Sequence, residues 1–248
     1  MATETILQQT AHRPWAVPAS SWVMAQQWRD LLFAHWPVSQ AILRPHIPAG
    51  LEIDTFNGQA WLAVVPFLMR GVRLRYAPAV PGTSEFPEMN LRTYVKRAGK
   101  PGVWFFSLDA ANSLAVTVAR AWFQLPYYRA RMRCEEQLGW IEYESERIHR
   151  DAPVAIFRGR YRGAGRIFQA QAGTLEHFLI ERYCLYSATP QGKVLRGDIH
   201  HPPWDLQVAE AQIVDNTVAK SLIALLPDKP LLHFSRRQDV VAWAPQSI

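Results

Sequence analysis

Short segments rich in β-branched and aromatic residues follow one another through most of the chain. Such residues favour the pleated backbone of a strand, and these segments are shorter than typical helices. The predicted strands are Leu51–Phe56, Ala60–Phe67, Met89–Arg97, Val103–Leu108, Tyr127–Cys134, Trp140–Arg150, Ala155–Arg162, Arg182–Ser187 and Lys193–His201. Because they occur in succession instead of alternating with long helices, they predict a mainly β protein of the α+β class and exclude a doubly wound fold.

Two of these predicted strands carry rows of charge. Alternation places three arginines on one face of Tyr127–Cys134 and three glutamates on one face of Trp140–Glu146. Half-polar strands suit an antiparallel sheet with one wet face, or a barrel with a polar lumen. We expect cross-strand ion pairs on these faces, and therefore no nucleic-acid binding, although the net charge is +6.

Helix and turn signals are fewer. Capping residues and prolines predict short helices at Val38–His46, Ser113–Phe123, Thr174–Glu181 and Asn216–Leu226. The pair Asn57-Gly58 tolerates positive φ at both positions and predicts a hairpin between the first two strands. A second turn is predicted at Lys100-Pro101-Gly102.

Length and composition bound the class of protein. The 248 residues are 49% hydrophobic and contain no linker or repeat, which predicts a single domain over residues 1–248, with its core at about 24–244 and an N-terminal extension at 1–20. No leader peptide and no apolar run of membrane-spanning length is visible, so we expect a cytoplasmic protein without a membrane partner.

Metal and cofactor motifs are absent from the sequence. Only Cys134 and Cys184 occur, which is too few for a disulfide scaffold or a thiolate cluster. His200 and His201 are adjacent and would face opposite sides of a strand. No glycine-rich phosphate loop is present. We therefore expect neither a metal nor a cofactor.

The segment Phe86–Met132 carries the most chemistry. On a strand, Glu88, Asn90, Arg92 and Tyr94 share one face, and the opposite face is mostly apolar. Such a polar face is either a solvated surface or the ordered wall of a pocket, in which Glu88 and Arg92 orient one another.

Six segments of the sequence together carry a resemblance to a known family. They are Trp28–Pro37, Ile47–Glu52, Phe86–Val95, Leu125–Tyr128, Glu181–Tyr183 and His200–Trp204. Through these segments the chain is similar to the YqjF-like family of uncharacterised proteins with a DUF2071 domain, from about Trp28 to Trp243.

That family is in turn similar to the acetoacetate decarboxylase-like superfamily. This resemblance implies a cone-shaped antiparallel β-barrel with a few short peripheral helices and a ligand cavity inside. It also implies that Trp28–Trp36, which is helical by periodicity, is the first strand. Superfamily members often assemble, which leaves a homo-oligomer open.

The chain departs from the decarboxylase where the chemistry lies. That enzyme forms an imine on one lysine of a Pro-Lys-Lys motif, and the neighbouring lysine lowers the pKa of the reactive amine. Here Pro126 matches the proline, but Tyr127 and Tyr128 stand in place of the lysines. A phenol cannot form an imine. By the same resemblance, Arg120 matches the arginine of that enzyme's Gly-Arg-Glu segment, and Glu88 matches a glutamate of the cavity.

The candidate residues follow from both arguments. Glu88 and Arg92 are the candidate catalytic pair, which would polarise a carboxylate or carbonyl; the alternative is a structural ion pair. Candidate substrate-binding residues are Arg120, Tyr94, Tyr127, Tyr128 and His35. Only one of the adjacent tyrosines can face inward on a strand, and a histidine in the position of His35 is more often a core residue than a catalyst.

Two functions remain open. The first is an enzyme that acts on a small organic acid or carbonyl compound in the barrel cavity by acid–base chemistry, lyase-like or hydro-lyase-like and without an imine. The second is a non-catalytic sensor or carrier with the same fold, for which an aromatic-rich lining would favour an apolar ligand.

Overall fold

Strands make up most of the described chain. The computed structural model describes residues 3–80, 82, 84–112, 116, 123–224, 226–227 and 229–248. Its helices are α1 (Thr3–Gln8), α2 (Gln40–Leu43), which continues as a 3-10 turn at Arg44–His46, and α3 (Leu175–Ile180). Its strands are β1 (Met24–Val38), β2 (Glu52–Ile53), β3 (Ala60–Leu74), β4 (Phe86–Arg97), β5 (Lys100–Ala110), β6 (Tyr127–Gln137), β7 (Trp140–Arg147), β8 (Ile156–Phe168), β9 (Cys184–Ala188), β10 (Val194–His200), β11 (Leu206–Asn216), β12 (Leu231–Ala242) and β13 (Gln246–Ser247).

All these strands belong to one sheet. Its order is β13-β10-β9-β5-β6-β7-β8-β11-β12-β1-β3-β4-β2, and the additional pairings β4–β5 and β10–β12 bring the sheet back on itself as a ring. Most neighbours are antiparallel, but β5 pairs in parallel with both β6 and β9. The predicted class, mainly β with a few short helices, is confirmed. In the described ranges, no helix combines the length and apolarity needed to cross a membrane.

The central strands are buried on both faces. On β1, Leu31 and Phe33 join one apolar cluster, and the alternate residues Leu32 and Ala34 join the other. β3 divides its side chains between the same two clusters. A strand with two apolar surroundings reads as a continuous hydrophobic run, as residues 60–69 do. The cluster that contains Leu31 and Phe33 surrounds the cavity described below, and the cluster that contains Leu32 and Ala34 lies on the opposite side of these strands.

Two buried tyrosines of the cluster that contains Leu32 and Ala34 donate hydrogen bonds to the backbone of β1 and β4. The Tyr143 hydroxyl donates to the Glu88 carbonyl oxygen across 2.7 Å, and the Tyr161 hydroxyl donates to the Asp30 carbonyl oxygen across 2.8 Å. Asp30 has a φ of 53° and lies in an interruption of the β1–β3 register. Its carbonyl therefore needs a partner from outside the ladder.

The charged faces of β6, β7, β8 and β11 point away from both clusters. Arg131 pairs with Glu146 across 3.6 Å, and Arg162 pairs with Glu210 across 2.7 Å, with side chains about half exposed or more. These contacts confirm the prediction of cross-strand ion pairs on a solvated face.

The first strands and turns differ from expectation in their pairing. Asn57 and Gly58 adopt the predicted positive φ, yet only Phe56 and Gln59 bridge across them. Phe56 and Gln59 exchange two backbone hydrogen bonds, which confirms the predicted two-residue turn. β2 pairs with β4 instead of β3, so the strand pairing predicted beyond the turn is wrong. The second turn lies at Ala98 and Gly99, both with positive φ, and residues 100–102 already belong to β5.

The helices and later strands were predicted unevenly. Thr174 caps α3 through its side chain, α2 lies within Val38–His46, and Trp28–Trp36 lies in β1, as expected. The helix predicted at Asn216–Leu226 is wrong: β11 runs to residue 216, and Thr217 N donates to the Ile156 carbonyl in place of a helical partner. The helix predicted at Ser113–Phe123 lies almost wholly outside the described residues.

Candidate functional site

A cavity of about 430 Å³ lies against the inner faces of β1, β3 and β4. That volume falls within the range of small-molecule sites. Most of its lining is apolar and comes from the cluster that contains Leu31 and Phe33. Val65 and Phe67 of the same cluster also line it. The polar side chains that concern its chemistry are Glu88, Asn90, Arg92, Tyr127, Arg182 and His201.

Strand β4 supplies three of these polar residues. Glu88, Asn90 and Arg92 line the cavity. Met89 and Leu91 pack on the other side of the strand, in the apolar cluster that contains Leu32 and Ala34. All three polar residues are less than 10% exposed. The alternation read from the sequence therefore describes a cavity wall and not a solvated surface.

The Glu88 side chain accepts a hydrogen bond from a tyrosine. The Tyr127 hydroxyl donates to Glu88 Oε2 across 3.1 Å. Burial raises the pKa of Glu88 from its usual 4.5 to about 8; the Tyr127 hydrogen bond lowers this pKa, and the charge of Asp109 raises it. At neutral pH the Glu88 carboxyl is therefore mostly protonated and can donate a proton.

The two adjacent tyrosines face opposite sides of β6. Tyr127 lines the cavity. The Tyr128 ring lies in an outer groove, 4.3 Å from the Arg147 guanidinium and 5.4 Å from the His149 ring. Of the two, the structure brings only Tyr127 to Glu88.

Arg92 is a buried cation without an anionic partner. No ion pair joins it to Glu88 or to any other carboxylate in the described part of the chain. Its Nε atom is buried and has no hydrogen-bond partner. Its guanidinium carbon lies 5.5 Å from the Phe33 ring centroid and 5.9 Å from that of Tyr94. The structural ion pair considered as an alternative for Glu88 and Arg92 is thus not formed.

Tyr94 and His35 lie next to Arg92 in the protein interior. Both are fully buried, and His35 Nε2 lies 2.7 Å from the Tyr94 hydroxyl. Burial, together with the charges of Arg92 and His233, holds the pKa of His35 well below its usual value. Neither residue is among the cavity-lining side chains. The structure therefore places them behind the site, where they support Arg92.

Arg182 is a lining residue that the sequence reasoning did not select. Its Nη1 donates to Asp54 Oδ2 across 2.6 Å, and its Nη2 is buried without a partner. Trp28 and Trp204 also line the cavity and have unpartnered indole N–H groups. Arg182 and Trp204 belong to family-like segments, which is the signal that could have identified them.

No lysine lines the cavity, and all five lysines lie among the described residues. Lys96, which shares the face of Glu88 by parity, pairs with Glu52 across 3.8 Å. The Lys100 ammonium lies 5.6 Å from the Trp15 ring, and the others are exposed. The predicted residue Arg120 lies outside the described residues. Within the described ranges, no three His, Cys, Asp or Glu side chains are grouped to hold a metal ion.

Comparison with known sequences identifies close relatives. Residues 25–239 match the profile of DUF2071, described as an uncharacterized conserved protein. The uncharacterized protein YqjF of Bacillus subtilis (strain 168) is 48% identical over 229 residues, which cover 92% of this chain and 93% of the relative.

Comparison with solved structures shows the fold. An acetoacetate decarboxylase-like enzyme from Sphingomonas wittichii RW1 aligns with a TM-score of 0.64 at 13% identity, over 96% of this chain and 97% of that one. Acetoacetate decarboxylase from Legionella pneumophila aligns with a TM-score of 0.62 at 10% identity, over 98% and 95%. The enduracididine biosynthesis enzyme MppR, complexed with the condensation product of pyruvate and imidazole 4-carboxaldehyde, aligns with a TM-score of 0.63 at 10% identity, over 94% and 92%.

Proposed function

The chain belongs to the DUF2071 family, and from the chemistry of its cavity we propose that it binds a small organic acid or carbonyl compound and acts on it by acid–base and electrostatic chemistry. One observation carries this proposal: Arg92 is buried in an apolar cavity, and no carboxylate of the described residues pairs with it. An unpaired buried charge is costly, and an anion that enters the cavity removes much of that cost. A ligand carboxylate supplies such an anion.

Glu88 is the proposed proton donor. Its carboxyl is mostly neutral at pH 7 because its pKa is raised to about 8. A general acid works best when its pKa lies near the working pH. Tyr127 donates to Oε2, so Glu88 can hold its own proton on Oε1 and deliver it to a carbonyl or enolate oxygen of the ligand. Enolisation, hydration and dehydration are reactions of this kind.

The proposal excludes an imine step. All five lysines lie away from the cavity wall, and Tyr127 stands where an imine-forming lysine is expected from the family resemblance. The fold is shared with a biosynthesis enzyme complexed with pyruvate. That likeness supports an oxo acid as the ligand class, while the different residues indicate a different reaction.

A non-catalytic carrier is the second candidate. It is favoured by the apolar lining, since side chains such as Phe67, Met69 and Phe86 offer packing but no chemistry. Both candidates require the same anion contact at Arg92, and they differ only in whether the bound acid is converted.

A screen of carboxylic acids and carbonyl compounds tests the proposal. Binding is measured by thermal shift and calorimetry, and conversion is followed by NMR for each bound compound. Arg92→Met is expected to weaken acid binding at least tenfold, whereas Arg131→Met, which removes an exposed arginine of the outer face, is expected to leave it unchanged. Acids that bind equally well to the Arg92 variant would refute the proposal. Binding without any conversion would select the carrier.

A further inference from the structure

The polar residues of the cavity are spread along a strand instead of being gathered at one point. Glu88, Asn90 and Arg92 occupy alternate positions of β4. A strand advances about 3.3 Å per residue, so the Cα atoms of Glu88 and Arg92 lie about 13 Å apart. This spacing agrees with the lack of an ion pair between them.

The two end groups point to different neighbours. Glu88 reaches Tyr127 on β6, at 3.1 Å. The Arg92 guanidinium lies near the Phe33 and Tyr94 rings, at the other end of this row of polar residues. Arg182 approaches the same end, with its guanidinium carbon 4.9 Å from the Tyr94 ring centroid. The cationic end and the proton-donating end are therefore separate places in the cavity.

The wall between these ends is suited to a hydrocarbon chain. Leu31, Val65 and Leu108 line it, and Asn90 stands halfway with a buried, unpartnered Oδ1. Apolar surface of this kind favours the burial of methylene groups.

From this arrangement we propose that the ligand carries its carboxylate and its reactive oxygen at opposite ends of an apolar stretch. The inference rests on the proposed function and narrows its substrate class. Side chains stand roughly perpendicular to a sheet, so the polar ends of Glu88 and Arg92 are about as far apart as their Cα atoms. Hydrogen bonds of about 2.9 Å at both ends then leave roughly 7 Å between the ligand oxygens. An extended chain advances about 1.2 Å per covalent bond, which corresponds to about six bonds or more. An α-oxo acid, with three bonds between these oxygens, and a β-oxo acid, with four, are too short to engage both ends.

A series of methyl ketone acids tests the length requirement. Pyruvate, acetoacetate, 4-oxopentanoate, 5-oxohexanoate, 6-oxoheptanoate and 7-oxooctanoate are titrated into the full-length protein by calorimetry, beside plain acids of the same chain length. The plain acids correct for the hydrophobic gain of each added methylene group. The preference for the oxo acid over its plain counterpart is expected to be absent in the first two probes and to reach tenfold or more at 6-oxoheptanoate.

Variants at the two ends show whether one ligand touches both. Arg92→Met is expected to weaken 6-oxoheptanoate and heptanoate alike, by tenfold or more. Glu88→Met is expected to abolish the preference for 6-oxoheptanoate while heptanoate still binds, which also shows that this variant is folded. Tyr128→Phe, on the outer face of β6, is the matched control and should change neither.

The outcomes separate the two proposals. If no acid binds the wild-type protein, the proposed function and the length requirement both fail. If pyruvate or acetoacetate binds as tightly as the longer oxo acids and loses affinity in both end variants, the length requirement alone is overturned. A preference that appears only in the longer oxo acids and disappears in Glu88→Met supports it.

Discussion

The Tyr127 hydroxyl donates a hydrogen bond to Glu88 Oε2 across 3.1 Å inside a cavity that is otherwise mostly apolar. Burial raises the pKa of Glu88 to about 8, and this hydrogen bond works against the rise. The pair therefore sets the fraction of Glu88 that is protonated at a given pH. A neutral carboxyl beside a phenol is suited to proton donation.

Removing the phenol should raise the pKa of Glu88 further. In Tyr127→Phe the carboxylate loses a hydrogen bond that favours its charged form, so its titration should move above pH 8. Carbon-13 NMR of labelled glutamate side chains measures this directly. Tyr128→Phe serves as the control and should leave the Glu88 titration in place; an unshifted titration in Tyr127→Phe would show that the hydrogen bond is not formed in solution.

The buried carboxyl should make stability depend on pH. The folded-state pKa of Glu88, about 8, is above its unfolded value near 4.5, so the folded state holds a proton that the unfolded state releases. Its contribution is full below pH 4.5 and is lost as pH rises to about 8. Glu88→Gln keeps an acceptor for Tyr127 and removes the titration. We expect this variant to unfold like the wild type at pH 4 and to be more stable by up to about 5 kcal/mol at pH 9.

Denaturant unfolding of both proteins between pH 4 and pH 9 checks this expectation. Parallel stability curves for wild type and variant over that range would contradict the raised pKa.

The two cavity arginines should respond to truncation in opposite directions. Arg92 has no carboxylate partner in the part of the chain that the structure describes, and Tyr94 keeps its contact with His35 when Arg92 is removed. Arg92→Met should therefore be neutral or should stabilise the fold by about 1–2 kcal/mol. Arg182→Met leaves Asp54 behind without its partner and should cost about 3–5 kcal/mol. Urea unfolding of the two variants measures both changes, and an equal loss in both would contradict the description of Arg92 as an unpaired cation.

A buried ion pair behind the site should be essential for folding. Arg147 binds Asp109 through two hydrogen bonds of 2.6 and 2.8 Å, and both side chains are at most 5% exposed. Arg147→Met leaves a buried carboxylate unpaired and should cost about 3–5 kcal/mol of unfolding free energy. Arg158→Met breaks a half-exposed pair with Asp215 and should cost less than about 1 kcal/mol. Similar losses in the two variants would argue against a buried pair.

Local sequence patterns predicted which residues of β4 line the cavity, but not which distant segments complete its lining. Alternation alone places Glu88, Asn90 and Arg92 on one face, because side-chain direction in a strand depends only on parity. Arg182 lies just before β9, which pairs with β5 across a long separation in sequence, and Trp204 lies between β10 and β11. Such pairings depend on the packing of segments that are distant in sequence, so periodicity within one segment does not predict them.

The same limit explains the missed strands. β12 runs between β1 and β11 and also meets β10, and its charged residues Arg236 and Arg237 interrupt the apolar pattern. Its partners supply the ladder that holds it extended. Asn216 was interpreted as a helix cap because capping residues also occur at strand ends and in turns. In the structure, Thr217 bonds to β8 and the chain turns instead.

The central claim is that Arg92 anchors the carboxylate of a bound acid. A crystal structure of the protein grown with hexanoate at high concentration tests it most directly. We expect a carboxylate oxygen within about 3.2 Å of Arg92 Nε or of its terminal nitrogens. The hydrocarbon chain should then extend past Asn90 toward Glu88. A carboxylate bound elsewhere in the cavity, with Arg92 still unpaired, would contradict it.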